Sequence, residues 1–391
     1  MDICFLPAWF YDIDGKGGGL FFREQAIAIR AVIDTASIFY PALGLPYLGK
    51  ENWEEKTLEG ITIFKYQGFC FPKRIAILQF IYASQIRKAF SFFLATRNGR
   101  LPDLIHSHSL WGAYAALVIK KEWGIPFVYT EHLGKWTNID YFPPRYQLKQ
   151  LQVICENANL VTAVSNTLAQ RMVEFCGVAP VLVTPNMVDT NFFSPLDDNK
   201  KKRPNTFSII SIGDPWHTKG LDILIEALGI AQQQTNLKLK LTLVDEIPKR
   251  QQLYPIIEKY QLKEQIEFTG RLERIQLKAL LQQQDVLVSA SRRESFGLTM
   301  IEAMACGVPV VATKTAGSLD IVNSENGILV DLNNSQALAK GLLLLINQPN
   351  KYSPQQLAAY VHHKYSIQSF CKNWEKHYNM ILLDQKRNNH D

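Results

Sequence analysis

The stretch SASRRESFGLTMIEAMACGVPVV, Ser289–Val311, decides the reading of this chain. It joins the end of one short apolar run to the start of the next through a polar turn and a helical pattern. Gly297 opens the helix, which continues to about Cys306, and Gly307 stops it. Two continuous apolar runs separated by a single helix make a βαβ unit, whose strands lie parallel and are buried on both faces. At the helix start the N–H groups of Gly297, Leu298 and Thr299 lack intrahelical partners. Together with the helix dipole they offer a site for a diphosphate. Glu294 stands just before them, and Glu302 follows in the second turn among Leu298, Met300, Ile301, Ala303 and Met304. A carboxylate in such surroundings requires strong donors, and the hydroxyls of a sugar or a ribose are suitable. The plainer alternative makes Glu302 a complement to the helix dipole and Glu294 a solvated turn residue.

The same alternation extends in both directions. An N-terminal series of runs comprises Ile3–Ala8, Ile61–Tyr66, Leu104–His108, Pro126–His132, Leu160–Ser165 and Val181–Asn186. A second comprises Phe207–Gly213, Leu239–Asp245, Ile266–Gly270, Val286–Ser291, Val308–Thr313 and Gly327–Val330. Between them SPLDDNKKKRPNT, Ser194–Thr206, has no apolar period and reads as a linker. The expected fold is α/β, with two Rossmann-like, doubly wound parallel-sheet domains facing a central cleft. The expected bounds are 1–193 for the first domain, 194–206 for the linker and 207–366 for the second. Residues 367–391 carry Phe370, Trp374, Tyr378, Ile381 and Leu382 at helical spacing, and that helix is expected to cross back to the first domain.

Composition limits the function classes. A length of 391 residues suits two domains, and 47% hydrophobic with 20% charged residues is the balance of a soluble globular chain. No apolar stretch reaches the roughly 18 residues of a spanning helix. The N-terminus shows no basic region or cleavage site of a signal peptide and reads as a strand entering a glycine loop. Six cysteines without a C-x-x-C pair read as isolated buried thiols in a reducing cytosol. A net charge of +6 suits anionic partners such as nucleotide phosphates, a lipid diphosphate or an anionic membrane surface. No nucleic-acid partner is expected.

ESFGLTMIEAMACGVPVV, Glu294–Val311, resembles the E-x7-E signature of retaining GT-B glycosyltransferases, above all glycosyltransferase family 4. PNMVDTNFFSP (Pro185–Pro195), IGDPWHTKGLDILIEAL (Ile212–Leu228) and IEFTGRL (Ile266–Leu272) resemble further segments of that family. So do PDLIHSHS (Pro102–Ser109) and PFVYTEH (Pro126–His132) in the N-terminal half. The resemblance implies that Glu294 holds hydroxyls of the transferred sugar, Glu302 the ribose, and Lys219 the departing diphosphate. Gly213, Gly297, Leu298 and Thr299 complete the donor site. The family's arginine after the glycine at Gly213 is here Asp214, so Arg271, Arg292 or Arg293 is expected to supply the missing charge. Met187 and Asp245 also stand where the family commonly has glycine.

On the acceptor side the resemblance points to His132, which borders the sugar and orients a hydroxyl or carbonyl. Gly17–Gly18–Gly19 form a βα turn through which the backbone, at Gly18, approaches the ligand; an ordinary flexible loop is the alternative. Asp12 and Asp14 imitate a D-x-D metal motif but sit in the first loop of a βαβ series, too early for it. His106 and His108 lack an evident third ligand and read as structural or cleft-lining. No metal and no cofactor is expected; the nucleotide-sugar is a substrate. Phe69–Arg100 mixes aromatics with cations, which suits either a peripheral membrane contact or a helix with a solvated basic face.

The expected activity is retaining, metal-independent transfer of a hexose-type sugar from a nucleotide diphosphate-sugar to a glycan or lipid-linked acceptor. The expected setting is cytoplasmic, at or near the inner face of the membrane, in cell-surface polysaccharide synthesis. A nucleotide-sugar epimerase of the same fold and a noncatalytic sugar-nucleotide-binding protein are the alternatives.

Overall fold

The computed structural model describes residues 1–10, 19–47, 51–70, 79–138, 141–177, 180–196, 205–213, 216–246 and 250–388. Its contacts divide the chain into two units, Met1–Thr184 with Phe370–Asp391, and Pro185–Ser369.

The first unit is built on β1 (Asp2–Pro7), β2 (Thr35–Gly44), β3 (Asn52–Leu58), β4 (Ile61–Phe69), β5 (Leu104–His108), β6 (Phe127–Glu131), β7 (Leu160–Ala163) and β8 (Leu182–Val183). Their order across the sheet is β3-β4-β2-β1-β5-β6-β7-β8. Only β3 runs antiparallel, to its neighbour β4. The second unit carries β9 (Thr206–Ile212), β10 (Lys238–Val244), β11 (Ile266–Gly270), β12 (Val286–Ser289), β13 (Val310–Thr313) and β14 (Gly327–Val330). Their order is β11-β10-β9-β12-β13-β14, all parallel. Both sheets are Rossmann-like. In each the strand order reverses once, between β1 and β5 and between β9 and β12. There the loops leaving neighbouring carboxyl ends diverge and leave room for a ligand.

All twelve apolar runs named above form strands. Two further strands, β2 and β3, carry no such clean run. β2 contains Pro41, which interrupts the pattern although Ile38 and Phe39 are fully buried. β3, NWEEKTL, is an exposed edge strand joined to β4 by Glu59 and Gly60, both at positive φ (50° and 75°). That backbone suits the tight two-residue turn of a hairpin.

In the first core Phe39 meets Phe64, Phe90 and Phe93 with ring centroids 5.3–6.0 Å apart. Each such buried ring contributes roughly 1.5–3 kcal/mol of apolar burial. The helix Ile367–Asn388 completes this unit from Phe370 onward. Its Trp374 and Tyr378 are buried, and the Cys371 thiol donates to the Ala28 carbonyl at 3.2 Å.

By its contacts the chain divides at Thr184/Pro185, nine residues before the expected bound. The segment from Pro185 joins the second unit because Val188 bridges Ser366 and donates its N–H to the Tyr365 carbonyl at 2.8 Å. Most of the expected linker, 197–204, lies outside the described residues. The cysteines are all buried, but they are not all isolated. The helices Arg145–Asn157 and Asn166–Cys176 bring the Sγ atoms of Cys155 and Cys176 to 2.6 Å. Their hydrogen bond and their burial push the Cys155 thiol pKa far up.

Candidate functional site

In the second unit the strand ends around the switch point turn through left-handed backbone. Gly213, after β9, has φ 116°. A Cβ there would lie 2.7 Å from Cε of Lys219, so glycine is what lets that side chain lie across the strand end. Asp245, after β10, holds φ 118°, a conformation that L side chains rarely adopt. Its N–H donates to the Gly270 carbonyl at 3.0 Å, and its Oδ1 accepts the Glu246 N–H at 2.8 Å. The backbone thus keeps a glycine conformation where the sequence has aspartate.

Lys219 closes the loop that follows β9, one residue before the N-cap of the helix Leu221–Gln232; Glu294 lies in the turn after β12. The two are 75 residues apart in sequence, yet Lys219 Nζ donates to Glu294 Oε2 at 2.7 Å. Their side chains are 22% and 18% exposed, which leaves the pair within reach of a ligand. The Glu294 carbonyl accepts the Gly317 N–H at 3.0 Å, which fixes the turn from its other side.

Gly297 is the N-cap of the helix Leu298–Ala305, with φ 104° and no side-chain cap. Glycine offers no side-chain oxygen to the first-turn N–H groups of Leu298 and Thr299, while its carbonyl accepts the Met300 N–H at 3.0 Å. Glu302 lies in the second turn of that helix, half-buried. Arg271 and Arg293 are exposed. Arg292 is not a spare charge, which corrects its candidacy for the role lost at Asp214. It donates to both Asp222 oxygens (2.8 and 2.6 Å), to the His217 carbonyl (2.6 Å) and to Asn333 Oδ1 (2.8 Å). Burial alone would raise the Asp222 pKa, but the Arg292 hydrogen bonds and charge outweigh it and hold the carboxyl below its ordinary range. Asp214 itself lies outside the described residues.

In the first unit three histidines gather at the carboxyl ends of β5 and β6. His108 Nδ1 lies 2.9 Å from His132 Nε2. His106 bonds through Nδ1 to the Tyr378 hydroxyl (2.7 Å) and through Nε2 to Thr130 Oγ1 (2.8 Å). Phe5 and Phe22 pack on His108, and Phe21 and Phe22 on His132. Burial drives all three imidazole pKa values down, His132 to about 3 and the other two well below the usual value. They are neutral at physiological pH. A ring so weakly basic is suited to orienting a group by hydrogen bonding rather than to removing a proton.

Sequence reading passed over Glu131, although it stands in the TEH stretch. Its carboxyl is fully buried. It accepts the Tyr129 hydroxyl at 2.6 Å and the N–H groups of His132 and Leu133 at 2.7 and 2.8 Å. Burial raises its pKa against the pull of these donors. Glu131 thereby fixes the backbone that carries His132. Gly17, Gly18, Asp12 and Asp14 lie outside the described residues. Among the described residues no three His, Cys, Asp or Glu side chains are grouped to hold a metal ion.

Residues 194–380 match the family described as glycosyl transferases group 1, and residues 48–192 match glycosyltransferase family 4. A D-inositol 3-phosphate glycosyltransferase of Pseudarthrobacter chlorophenolicus is 28% identical over 264 residues, 63% of this chain and 63% of that protein. The match thus spans less than two thirds of that relative's length. A sucrose-phosphate synthase from Thermosynechococcus elongatus shares the fold, with a TM-score of 0.77 and 18% identity, over 98% of this chain and 100% of that one. Anabaena HepE in complex with UDP gives a TM-score of 0.74 at 21% identity, over 97% of this chain and 100% of that one.

Proposed function

Because this chain belongs to the group 1 and family 4 glycosyltransferases, we propose that it moves a hexose-type sugar from a nucleotide diphosphate-sugar to a hydroxyl of a glycan or lipid-linked acceptor. One observation carries this reading. An ammonium and a carboxylate, Lys219 and Glu294, meet at 2.7 Å at a topological switch point, beside a helix start without a side-chain cap.

Transfer breaks the bond between the sugar's anomeric carbon and a phosphate oxygen, leaving a diphosphate with added charge. Lys219 and the amides of Leu298 and Thr299 stabilise that charge, the role a metal fills elsewhere. Glu294 holds sugar hydroxyls and Glu302 the ribose. Arg271 supplies further positive charge, while the close approach at Gly213 seats the Lys219 side chain. The acceptor hydroxyl attacks the face the diphosphate leaves, its proton passes to the departing phosphate oxygen, and the anomeric configuration is retained. Neutral His132 orients a hydroxyl. No metal or cofactor takes part.

Anabaena HepE binds UDP, so UDP-hexoses are the first donors to try. The acceptor belongs to cell-surface polysaccharide synthesis at the inner face of the membrane. Among the described residues no helix is long and apolar enough to cross a membrane. Peripheral contact is proposed through the helix Gln79–Thr96, where Phe80 is 68% exposed. The test is a panel of nucleotide-sugars with candidate acceptors, following nucleoside diphosphate release and the product's anomeric configuration. Release that requires an acceptor, retention, and indifference to EDTA are expected. Conversion of donor without acceptor, or binding without turnover, would overturn the reading.

A further inference from the structure

Lys219 and Glu294 sit on different loops, and nothing in the strand order alone fixes them at hydrogen-bonding distance. The connection is made two residues before Glu294. Arg292 bonds to residues on both sides of Lys219: to the His217 carbonyl at 2.6 Å before it, and to the Asp222 carboxylate at 2.8 and 2.6 Å after it. The Arg292 backbone N–H adds a bond to the Thr218 carbonyl at 2.8 Å. Nε reaches Asn333 at 2.8 Å, so each guanidinium nitrogen is engaged. Gly220, with φ 64°, presses so close to the Ala290 carbonyl that a Cβ there would overlap it. The Lys219 loop is therefore seated directly on the turn after β12. A planar, two-pronged guanidinium–carboxylate pair holds both distance and angle, which a lysine at the same place would not.

We infer that Arg292 is a positioning residue of the donor site, locking the Lys219 loop to the Glu294 turn and so setting the distance between amine and carboxylate. It does this through Asp222 and the His217 and Thr218 carbonyls, without touching substrate. The inference rests on the reading of Lys219 and Glu294 as donor-binding groups, but its geometry is testable without a donor.

The test compares wild type with Arg292→Gln, Arg292→Lys, Asp222→Asn and Glu294→Gln. The ligand-free readout is trace acetylation of Lys219 by acetic anhydride, quantified by mass spectrometry. Lys120, bonded to the Asn157 carbonyl and Asn159 in the other unit, is the internal reference. Labelling of Lys219 should rise about three-fold in Arg292→Gln, the ratio expected when a partly exposed ion pair is lost, and match Glu294→Gln. Asp222→Asn should move it the same way, and combining it with Arg292→Gln should add nothing, because the two act as one clamp. Lys219 labelling unchanged in a folded Arg292→Gln protein, or an equal rise at Lys120, overturns the inference. If Arg292→Gln does not fold, Arg292→Lys is read by the same criteria, since it keeps the charge but loses the fork. In parallel, UDP affinity by calorimetry should fall about ten-fold in Arg292→Gln, as for a lost charge-assisted contact. A wild-type protein that binds no nucleoside diphosphate sinks the donor reading, while the labelling still decides on Arg292.

Discussion

The amine of Lys219 lies 2.7 Å from the carboxylate of Glu294, so two groups proposed to hold different parts of a sugar donor form an ion pair with each other. On the proposed function, a donor would replace that internal pair with its own contacts, its diphosphate taking the ammonium and its sugar hydroxyls the carboxylate. The two side chains should therefore respond differently to substitution.

Glu294→Gln keeps the shape and frees the amine. UDP affinity is expected to hold or to rise a few-fold, while transfer falls about 10²–10³-fold, the loss seen when a hydrogen-bonding group aimed at the transition state is removed. Lys219→Met should weaken UDP binding and transfer together, by about 1.5–3 kcal/mol for the charged contact in binding alone. Calorimetry and nucleotide-release rates separate the two patterns. Equal effects of both variants on UDP affinity would refute the division of labour.

The buried histidines give a pH signature. His132 titrates at about 3, and His106 and His108 well below 6.5. In the unfolded chain each takes up a proton near pH 6.5, so between that pH and the folded values the unfolded state binds more protons. Stability is then full above pH 6.5 and falls on acidification, by about 1.4 kcal/mol per pH unit per histidine once well below it. Glu131, whose pKa is raised, acts oppositely above its unfolded value, but one carboxyl offsets one histidine of three. Thermal melts from pH 7.5 to 5 should show a steady drop, shallower in His108→Phe. A flat profile would contradict neutral burial. The same shift predicts no inflection from His132 in the rate profile between pH 5 and 8.

Glu131 is expected to matter by shape more than by charge. Glu131→Gln keeps an oxygen for the His132 and Leu133 N–H groups and should cost under about 1 kcal/mol. Glu131→Ala leaves those buried donors and the Tyr129 hydroxyl without acceptors and should cost about 2–5 kcal/mol. Urea denaturation of the two variants measures the difference, and near-equal values would reject the account.

Asp245 holds φ 118° at the end of β10, where a glycine would rest without strain. Asp245→Gly is expected to stabilise the protein by about 1 kcal/mol, less the value of the bond to the Glu246 N–H. Gly213→Ala should do the reverse and also displace Lys219, lowering UDP affinity. A destabilised Asp245→Gly variant would mean that its side chain matters more than its backbone.

Much of this was legible before any coordinates. Continuous apolar runs are what a parallel sheet buried on both faces demands, and each of the twelve became a strand. β2 escaped because Pro41 breaks its pattern, and β3 because a hairpin edge strand carries charge rather than an apolar face. Gly297, Glu294 and Lys219 were legible through residue type and resemblance to a family motif. The Arg292–Asp222 clamp was not, because its partners lie 70 residues apart and only the strand order brings them together. Cys155 and Cys176 met through the packing of two helices, which spacing along the chain does not reveal. The contacts draw Pro185–Phe193 into the second unit because Val188 pairs with Ser366, which local spacing does not show.

The return of Trp374 and Tyr378 to the first unit, where Tyr378 bonds His106, has a consequence for the order of events during translation. The strands of that unit leave the ribosome first, yet the aromatic side chains that close over His106 are made only after the whole second unit. Until then the ring of His106 lacks its hydroxyl partner and a patch of apolar surface stays uncovered. The unit whose strands precede the second unit is thus finished only after the second unit has been made.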